Sequence, residues 1–271
     1  MSSARWLIAL DVDGTVLRED GSLGDDTLRE VRRVVELGHE VMIATGRSVS
    51  MTLPVVDRLG LTSSYVVCAN GAIVLGRDAD APLGYATAFV ETFDPSEVLT
   101  TIRGHLEGAS FAVEDADGVF RFTGSFPEGA LAASRQKVPF DELLHVQATR
   151  VVVISPGHAI EDFLAVVEQM GLHKVSYNVG WTAWLDIAPD GVNKATGLER
   201  VRTELGISAD HVLAIGDGRN DIDMLNWAVA GGGVGVAMGQ APEEVLDAAS
   251  ERTASDVDDG VAVALARHFQ G

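Results

Sequence analysis

Short apolar runs alternate with amphipathic segments at the start of the chain. A buried strand is predicted at 6–11, where apolar residues follow one another up to the first aspartate. Segment 25–38 places its valines on one helical face and ends at Gly38, which predicts a helix. A second strand at 39–46 completes a strand–helix–strand unit. Such units are typical of a parallel sheet that is covered on both faces.

The same alternation continues and then returns near the C-terminal end. A helix weakened by Pro54 is predicted at 48–60, and an apolar strand at 65–75 contains a turn at Asn70-Gly71. Beyond residue 193, helices are predicted at 198–206, 221–229, 241–250 and 258–269, and strands at 211–217 and 234–238.

The pattern changes between these two stretches. Two similar halves follow each other there, and each predicts a strand, a helix and a longer pair of strands, at 85–91, 95–107 and 110–122 and then at 149–155, 159–171 and 173–188. Turn residues at 115–118 and at Gly180 predict a hairpin in each strand pair. We therefore expect a doubly wound parallel α/β core, Rossmann-like in its layers, formed by residues 1–83 and 190–271, with an inserted α+β cap domain at 84–189.

Composition narrows the classes of partner. The 271 residues are 46% hydrophobic and 22% charged, which is typical of a globular protein. The chain has 20 basic and 40 acidic residues, for a net charge of −20, so it repels nucleic acids and acidic membranes. Its single cysteine, Cys68, cannot form an intrachain disulfide. We expect a cytoplasmic monomer or homodimer with neither nucleic acid nor membrane as partner.

Polar residues follow three of the predicted core strands at the point where each strand ends. In an open parallel sheet, ligands bind beyond these carboxyl ends. Four carboxylates should converge there, from Asp11, Asp13, Asp217 and Asp221. Carboxylates at such short range raise one another's pKa unless a cation joins them. An all-oxygen cluster of this kind favours Mg²⁺.

Two acids with the spacing of Asp11 and Asp13 can share the hydrolysis of a phosphate ester. One ionised carboxylate attacks phosphorus and carries the phosphoryl group, while the other protonates the leaving oxygen and later deprotonates water. Lys194 offers a cation at a helix start, where anions are also favoured. Hydrogen-bond donors for the phosphoryl oxygens are available from Thr45, the Gly46 N–H and Asn220.

Each motif alone also has a purely structural interpretation, as a turn, a helix cap or a surface lysine. Their joint position at one sheet edge favours the chemical interpretation. Arg47 and Asn70 fit a substrate contact and a loop-capping role equally well. Trp181 and Trp184, on the last predicted hairpin of the insert, are interpreted as cap core.

These motifs together resemble those of a known family. The segments DVDGT at 11–15, ATGR at 44–47, GVNKATGL around Lys194 and GDGRND at 216–221, with Asn70-Gly71, resemble the haloacid dehalogenase superfamily, and the insert resembles its type IIB (Cof-like) cap. The resemblance implies a Mg²⁺-dependent phosphatase. By the family pattern, Asp11 is the nucleophile and Asp13 is the general acid/base. Thr45 and Lys194 bind the phosphate, and the metal ligands are Asp11, the Asp13 backbone carbonyl and Asp217. Asn220 and Asp221 position the phosphate, the lysine or a metal-bound water.

The expected activity is hydrolysis of small phosphomonoesters, such as sugar phosphates, through an aspartyl-phosphate intermediate. One alternative is a phosphomutase of the phosphomannomutase type, which would turn over a bisphosphate under its cap. A second is a noncatalytic phospho-aspartate switch. The large insert and the second acid, Asp13, favour an enzyme over the switch. The dehalogenases of the superfamily lack that second aspartate.

Overall fold

The computed structural model describes residues 4–81, 83–132, 134–170, 172, 175–179 and 183–270. Its strands are β1 Leu7–Leu10, β2 Glu40–Ile43, β3 Tyr65–Cys68, β4 Ile73–Arg77, β5 Tyr85–Val90, β6 Ser110–Glu114, β7 Phe120–Phe122, β8 Arg135–Lys137, β9 Arg150–Ile154, β10 Val175–Val179, β11 Trp184–Pro189, β12 Val212–Gly216, β13 Val234–Ala237 and β14 Glu251–Arg252. Its α-helices are α1 Asp25–Glu36, α2 Val49–Leu59, α3 Ser96–His105, α4 Phe140–Leu143, α5 Ile160–Met170, α6 Lys194–Glu204, α7 Ile222–Ala230, α8 Glu243–Ala248 and α9 Gly260–His268.

The core is a parallel sheet with strand order β14-β13-β12-β1-β2. All four residues of β1 are buried. Because successive side chains of a strand point to opposite sides, they contact helices on both faces of the sheet. Ile8 and Leu10 pack in a cluster with α1, α2 and α9, while Leu7 and Ala9 pack with α6, α7 and α8. The prediction of a doubly wound α/β core is confirmed.

A second sheet has the order β10-β11-β9-β6-β7-β8 and forms the body of the insert. Helices α3 and α5 cover one of its faces, where Val151 and Val153 of β9 meet Leu99 and Phe163. The hairpins β6–β7 and β10–β11 are antiparallel, as expected. Strand β8, which pairs parallel to β7, was not predicted, because its three polar residues are exposed and carry no apolar pattern. Gly180 and Trp181 lie outside the described residues.

Strand β5 lies elsewhere than expected. It was assigned to the first half of the insert, but it pairs antiparallel with β4 in a three-stranded sheet, β3-β4-β5. The Asp78 N–H donates to the Gly84 carbonyl at 3.0 Å and closes the connecting turn. A turn this short returns the chain directly onto β4. The predicted boundary at residue 84 therefore separates two paired strands, and the domain limits 1–83, 84–189 and 190–271 stay a prediction.

The strand β3 continues the core beyond β2. Ala44 and Val67 form a parallel bridge, and the Thr45 N–H donates to the Val67 carbonyl at 3.0 Å. Within the described residues, no helix is both long and apolar enough to cross a membrane.

Candidate active site

Three loops meet where the parallel strands end. Asp11 directly follows β1, and its N–H donates to the Ile215 carbonyl at 3.0 Å, which ties the first loop to β12. Thr45 lies just beyond β2, and Asp217 directly follows β12. All three side chains are buried. The core strands thus bring together residues that the sequence separates by more than 200 positions.

Lys194 is the fully buried centre of this cluster. Its Nζ donates to Asp11 Oδ1 at 2.5 Å and to Asp221 Oδ1 at 2.6 Å. Lys194 begins α6, whose start is fixed by Asn193, because the Asn193 side chain accepts from the Thr196 N–H at 3.0 Å. The cap of the helix therefore determines where the ammonium group lies.

A glycine lets this helix start approach the loop after β3. Gly71 has φ +98°, and a Cβ there would lie 2.0 Å from the Asn193 carbonyl oxygen. Any side chain would push α6 away and withdraw Lys194 from the two aspartates. In the sequence, Gly71 was predicted to lie in a turn and belonged to the motifs that resemble the family, but its contact with the start of α6 was not predicted.

Burial and, after it, the excess of negative charge determine the pKa values in the cluster. Burial raises the pKa of Asp11 well above its ordinary value, Asp221 raises it further, and Lys194 opposes them. Burial and Asp221 also raise the pKa of Asp217 to about 7. Burial would lower the pKa of Lys194, but Asp11 and Asp221 outweigh it and raise that pKa. The cluster thus contains three carboxylates and one ammonium group, which donates hydrogen bonds to two of them.

The donor set fits a hard divalent cation. Oxygens of Asp11, Asp217 and Asp221 lie within 4.8 Å of one another. The Thr15 hydroxyl donates to Asp217 Oδ1 at 3.1 Å and orients that carboxylate. Gly14, with φ +73°, allows the first loop to close here, because a Cβ would lie 2.3 Å from Asp217 Oδ2. Such an all-oxygen group suits Mg²⁺.

Asp221 is the most fully occupied of the three carboxylates. Besides Lys194, it accepts from the Asp217 N–H at 3.0 Å and from the Gly218 N–H at 2.9 Å through Oδ2. Three hydrogen bonds therefore fix its orientation. Asp221 holds the loop and the lysine in place, whether or not it also contacts a metal.

Asp13 lies outside the buried cluster. Its side chain is 64% exposed and forms a two-pronged ion pair with Arg47, with Nε–Oδ2 at 2.9 Å and Nη2–Oδ1 at 2.5 Å. The hydrogen bonds that Arg47 donates to the Asp13 carboxylate raise the pKa of the Arg47 guanidinium. The sequence left Arg47 between two roles, and the structure places its side chain against the second predicted acid.

The predicted phosphate-binding residues line one cleft, except for Lys194, which is buried among the carboxylates. Asn220 Nδ2 donates to Asn70 Oδ1 at 3.1 Å, and the Asn70 N–H donates to the Thr45 carbonyl at 3.0 Å. Asn70 has φ 51°, a left-handed conformation that asparagine tolerates better than most residues. Thr45 Oγ1 accepts from the Arg47 N–H at 3.1 Å. Gly46 lies beside them in the same cleft.

That cleft has a volume of about 440 Å³ and separates the strand ends from the insert. From the insert it is lined by Gly129, Ala130, Arg150, Trp184 and Asp186. Trp184 packs against the small apolar cluster of the cap sheet, as its interpretation as cap core predicts, and it also lines the cleft. Asp186 was missed, although the two-residue spacing to Trp184 puts both on one face of a strand. Trp181 lies outside the described residues.

The family is shown by direct comparison. The model of the haloacid dehalogenase-like hydrolases matches residues 8–265. The chain belongs to this family of hydrolases, as its motifs predicted.

Similar proteins cover the whole chain. A 5-amino-6-(5-phospho-D-ribitylamino)uracil phosphatase of Bacillus subtilis, YitU, is 28% identical over 99% of each chain. The pyridoxal phosphate phosphatase YbhA of Escherichia coli is 27% identical over 97% of this chain and 98% of its own. The subclass IIB sugar phosphatase BT4131 has the same fold, with a TM-score of 0.79, 21% identity and 97% and 98% coverage.

Proposed function

We propose that this protein is a Mg²⁺-dependent phosphatase that hydrolyses small phosphomonoesters through an aspartyl phosphate on Asp11. The observation that carries the proposal is the 2.5 Å contact between Lys194 and Asp11 within a buried group of three carboxylates at the floor of the cleft. Burial and the neighbouring acids raise the pKa of Asp11, and Lys194 opposes that rise. A bound cation beside Lys194 would complete the ionised carboxylate that acts as the nucleophile.

The chain's own residues divide the work. Lys194 favours the ionised form of Asp11 and aims one of its oxygens. Donors from Thr45, Gly46 and Asn220 can bind the phosphoryl oxygens as charge builds up on them. Asp11, Asp217 and Asp221, with the Asp13 carbonyl that the family pattern adds, would hold the metal. Bound Mg²⁺ would neutralise the repulsion between the nucleophile and a phosphate dianion.

Asp13 is the proposed general acid and, later, the general base. The role is supported by its exposed carboxyl group, which lines the same cleft as Asp11 and is bound by Arg47. A phosphate ester that enters the cleft offers Arg47 a second anion. If Arg47 moves from the Asp13 carboxylate to the phosphate ester, Asp13 becomes free for proton transfer.

The substrate class follows from the size of the cleft and from the relatives. A volume of about 440 Å³ suits a small metabolite. The two phosphatases from Bacillus subtilis and Escherichia coli are named for small phosphorylated compounds. We therefore infer a small phosphorylated metabolite, such as a sugar phosphate, as the substrate. The single Cys68 supports action in the reducing cytoplasm.

Measurement of phosphate release distinguishes a phosphatase from the two alternatives, a phosphomutase and a noncatalytic phospho-aspartate switch. The purified protein with Mg²⁺ is incubated with a panel of small phosphomonoesters, and inorganic phosphate and isomerised substrate are both measured. Rapid acid quenching during turnover should trap phosphate on Asp11. Isomers without free phosphate would identify a phosphomutase, and a stable phosphoprotein without turnover would identify a switch.

A further inference from the structure

A row of three charged side chains crosses the cap sheet on the face opposite α3 and α5. Glu114 on β6 stands opposite Arg150 on β9 in the antiparallel register. Arg150 in turn forms a two-pronged bond with Asp186 on β11, with Nε–Oδ1 at 2.5 Å and Nη2–Oδ2 at 2.9 Å. Ala112 and Val152, on the same face, belong to an apolar cluster. The charged row is therefore a local feature of an otherwise apolar face.

The row contains more acid than base. Glu114 is fully buried, and neither of its carboxylate oxygens has a hydrogen-bond partner among the described residues. Arg150 is the one basic residue that the described part of the cap contributes to the cleft lining, and Asp186 already neutralises it. Glu114 adds a second acid behind the pair. The cap wall consequently offers no net positive charge to a ligand.

The cations on the core side are also paired. Arg47 is bound to Asp13, and Arg219 forms an ion pair with Glu244 at 2.7 Å. A phosphoryl group at Asp11 can draw on Arg47 and on the donors around Thr45. A second anion at the cap end would have to displace Asp186 from Arg150 and would then lie near Glu114.

A neutral leaving group meets no such obstacle. Carboxylate oxygens of Asp186 keep acceptor positions for hydroxyl or N–H donors beyond the two that Arg150 uses. Trp184, two residues away on the same strand face, offers an indole surface for an apolar or flat part of the ligand. Selectivity here would come from a repulsive element as well as an attractive one.

We propose that Asp186 and Arg150, backed by Glu114 and flanked by Trp184, restrict the substrate to monophosphates with an uncharged leaving group rich in hydroxyl or N–H donors. Compounds with a second phosphate or a carboxylate are rejected at this wall. Asp186 contacts the leaving group, and Glu114 is a positioning residue that acts through Arg150. The inference rests on the proposed phosphatase function, which it sharpens to a substrate class.

The test uses matched substrates that differ in one charge. Ribitol 5-phosphate and 5-phosphoribonate share the phosphate and the chain length, but the second carries a carboxylate. The wild-type enzyme with Mg²⁺ should show a kcat/KM at least about tenfold higher for ribitol 5-phosphate, mostly through KM. Equal values for the two compounds would overturn the proposal, whatever the variants do.

Variants then locate the selectivity. Asp186→Asn leaves the Arg150 charge without its counter-ion, so the preference for ribitol 5-phosphate should fall at least about tenfold. The double variant Asp186→Asn with Arg150→Gln removes both charges and should restore most of the preference. Glu114→Gln should change the ratio in the same direction as Asp186→Asn, but less. Asp162→Asn, an equal charge change on the exposed side of α5, is the matched control.

The outcomes separate this inference from the function on which it rests. Folded Asp186→Asn protein, checked by thermal unfolding, with an unchanged substrate ratio would contradict the inference and leave the phosphatase intact. If wild-type enzyme releases no phosphate from ribitol 5-phosphate, from 5-phosphoribonate or from p-nitrophenyl phosphate, the proposed phosphatase function itself is contradicted.

Discussion

The two walls of the cleft hold buried charge in different ways. On the core wall, Lys194 binds two aspartates, and Asp221 accepts two further hydrogen bonds from backbone N–H groups. On the cap wall, Glu114 is equally buried, but both of its oxygens lack a hydrogen-bond partner among the described residues. Arg150 lies next to it and is bound to Asp186.

The difference comes from where each group lies in its sheet. The core acids follow the ends of strands, where the backbone N–H groups of Asp217 and Gly218, just before the turn at 219–221, donate to the Asp221 carboxylate. Glu114 ends β6 within a sheet whose backbone groups bond to neighbouring strands, so side chains alone can stabilise it. Strand ends thus support a reactive cluster of acids, whereas a sheet face supports a charge only through another side chain.

The comparison is tested most strongly at Asp11. Asp11→Asn keeps the side-chain volume and removes the nucleophile, so turnover should fall at least about 10⁴-fold. Phosphate release and the quench assay for phosphoprotein measure this. Asp57→Asn, an exposed change on α2, should leave the rate unchanged. Activity above about a tenth of wild type would show that Asp11 does not attack phosphorus.

Metal removal should have the next largest effect and should act on the core wall alone. With excess EDTA, phosphate release should fall at least about 10³-fold, because three carboxylates and one ammonium repel a phosphate dianion. Added Mg²⁺ should restore it. Full turnover in the chelator would refute the metal assignment.

Asp13→Asn should separate the two half-reactions. A sugar alkoxide needs a proton from the enzyme, so its phosphorylation step should slow by about 10²-fold or more, whereas p-nitrophenolate leaves with little help. Dephosphorylation is the same step for both substrates and should be slow in the variant, because the base that activates water is missing. Phosphoenzyme should therefore accumulate with the aryl ester. Rapid-quench measurements of both substrates give the two rates. Equal losses would mean that Asp13 only supports the metal or the fold.

The smallest expected effect concerns the stability of the cap wall. Burial raises the pKa of Glu114 from 4.5 to about 7, with Asp186 and Asp115 raising it and Arg150 lowering it. Between those values the folded chain keeps a proton that the unfolded chain releases. The free energy of unfolding should therefore fall as pH rises across that window, by at most about 3 kcal/mol.

Glu114→Gln removes this titration. Urea unfolding at pH 5 and pH 8 should show a smaller loss of stability for Glu114→Gln than for wild type, and the variant should be the more stable protein at pH 8. Asp162→Asn should follow the wild-type curve. Parallel pH curves for wild type and Glu114→Gln would show that the buried carboxyl group does not titrate in this range.

The sequence alone located the core site. Asp11, Thr45 and Asp217 were recognisable because each follows an apolar strand, and the ends of parallel strands share one edge of the sheet. Lys194 could be placed with them by its position at a helix start. A strand and the loop after it are contiguous in sequence. Residues that follow the end of a strand can therefore be recognised from the sequence alone.

Only the tertiary structure decided the rest. The place of β5 depended on a turn that folds back onto β4, and the Arg47–Asp13 pair depended on the distance between two loops. The row of Glu114, Arg150 and Asp186 joins strands that lie 36 residues apart in sequence. Which side chains face each other across strands is set by register and by sheet order. Neither quantity is encoded in the periodicity of a single segment. The spacing of Trp184 and Asp186 could therefore place both on one strand face, but it could not show that Glu114, Arg150 and Asp186 form one row.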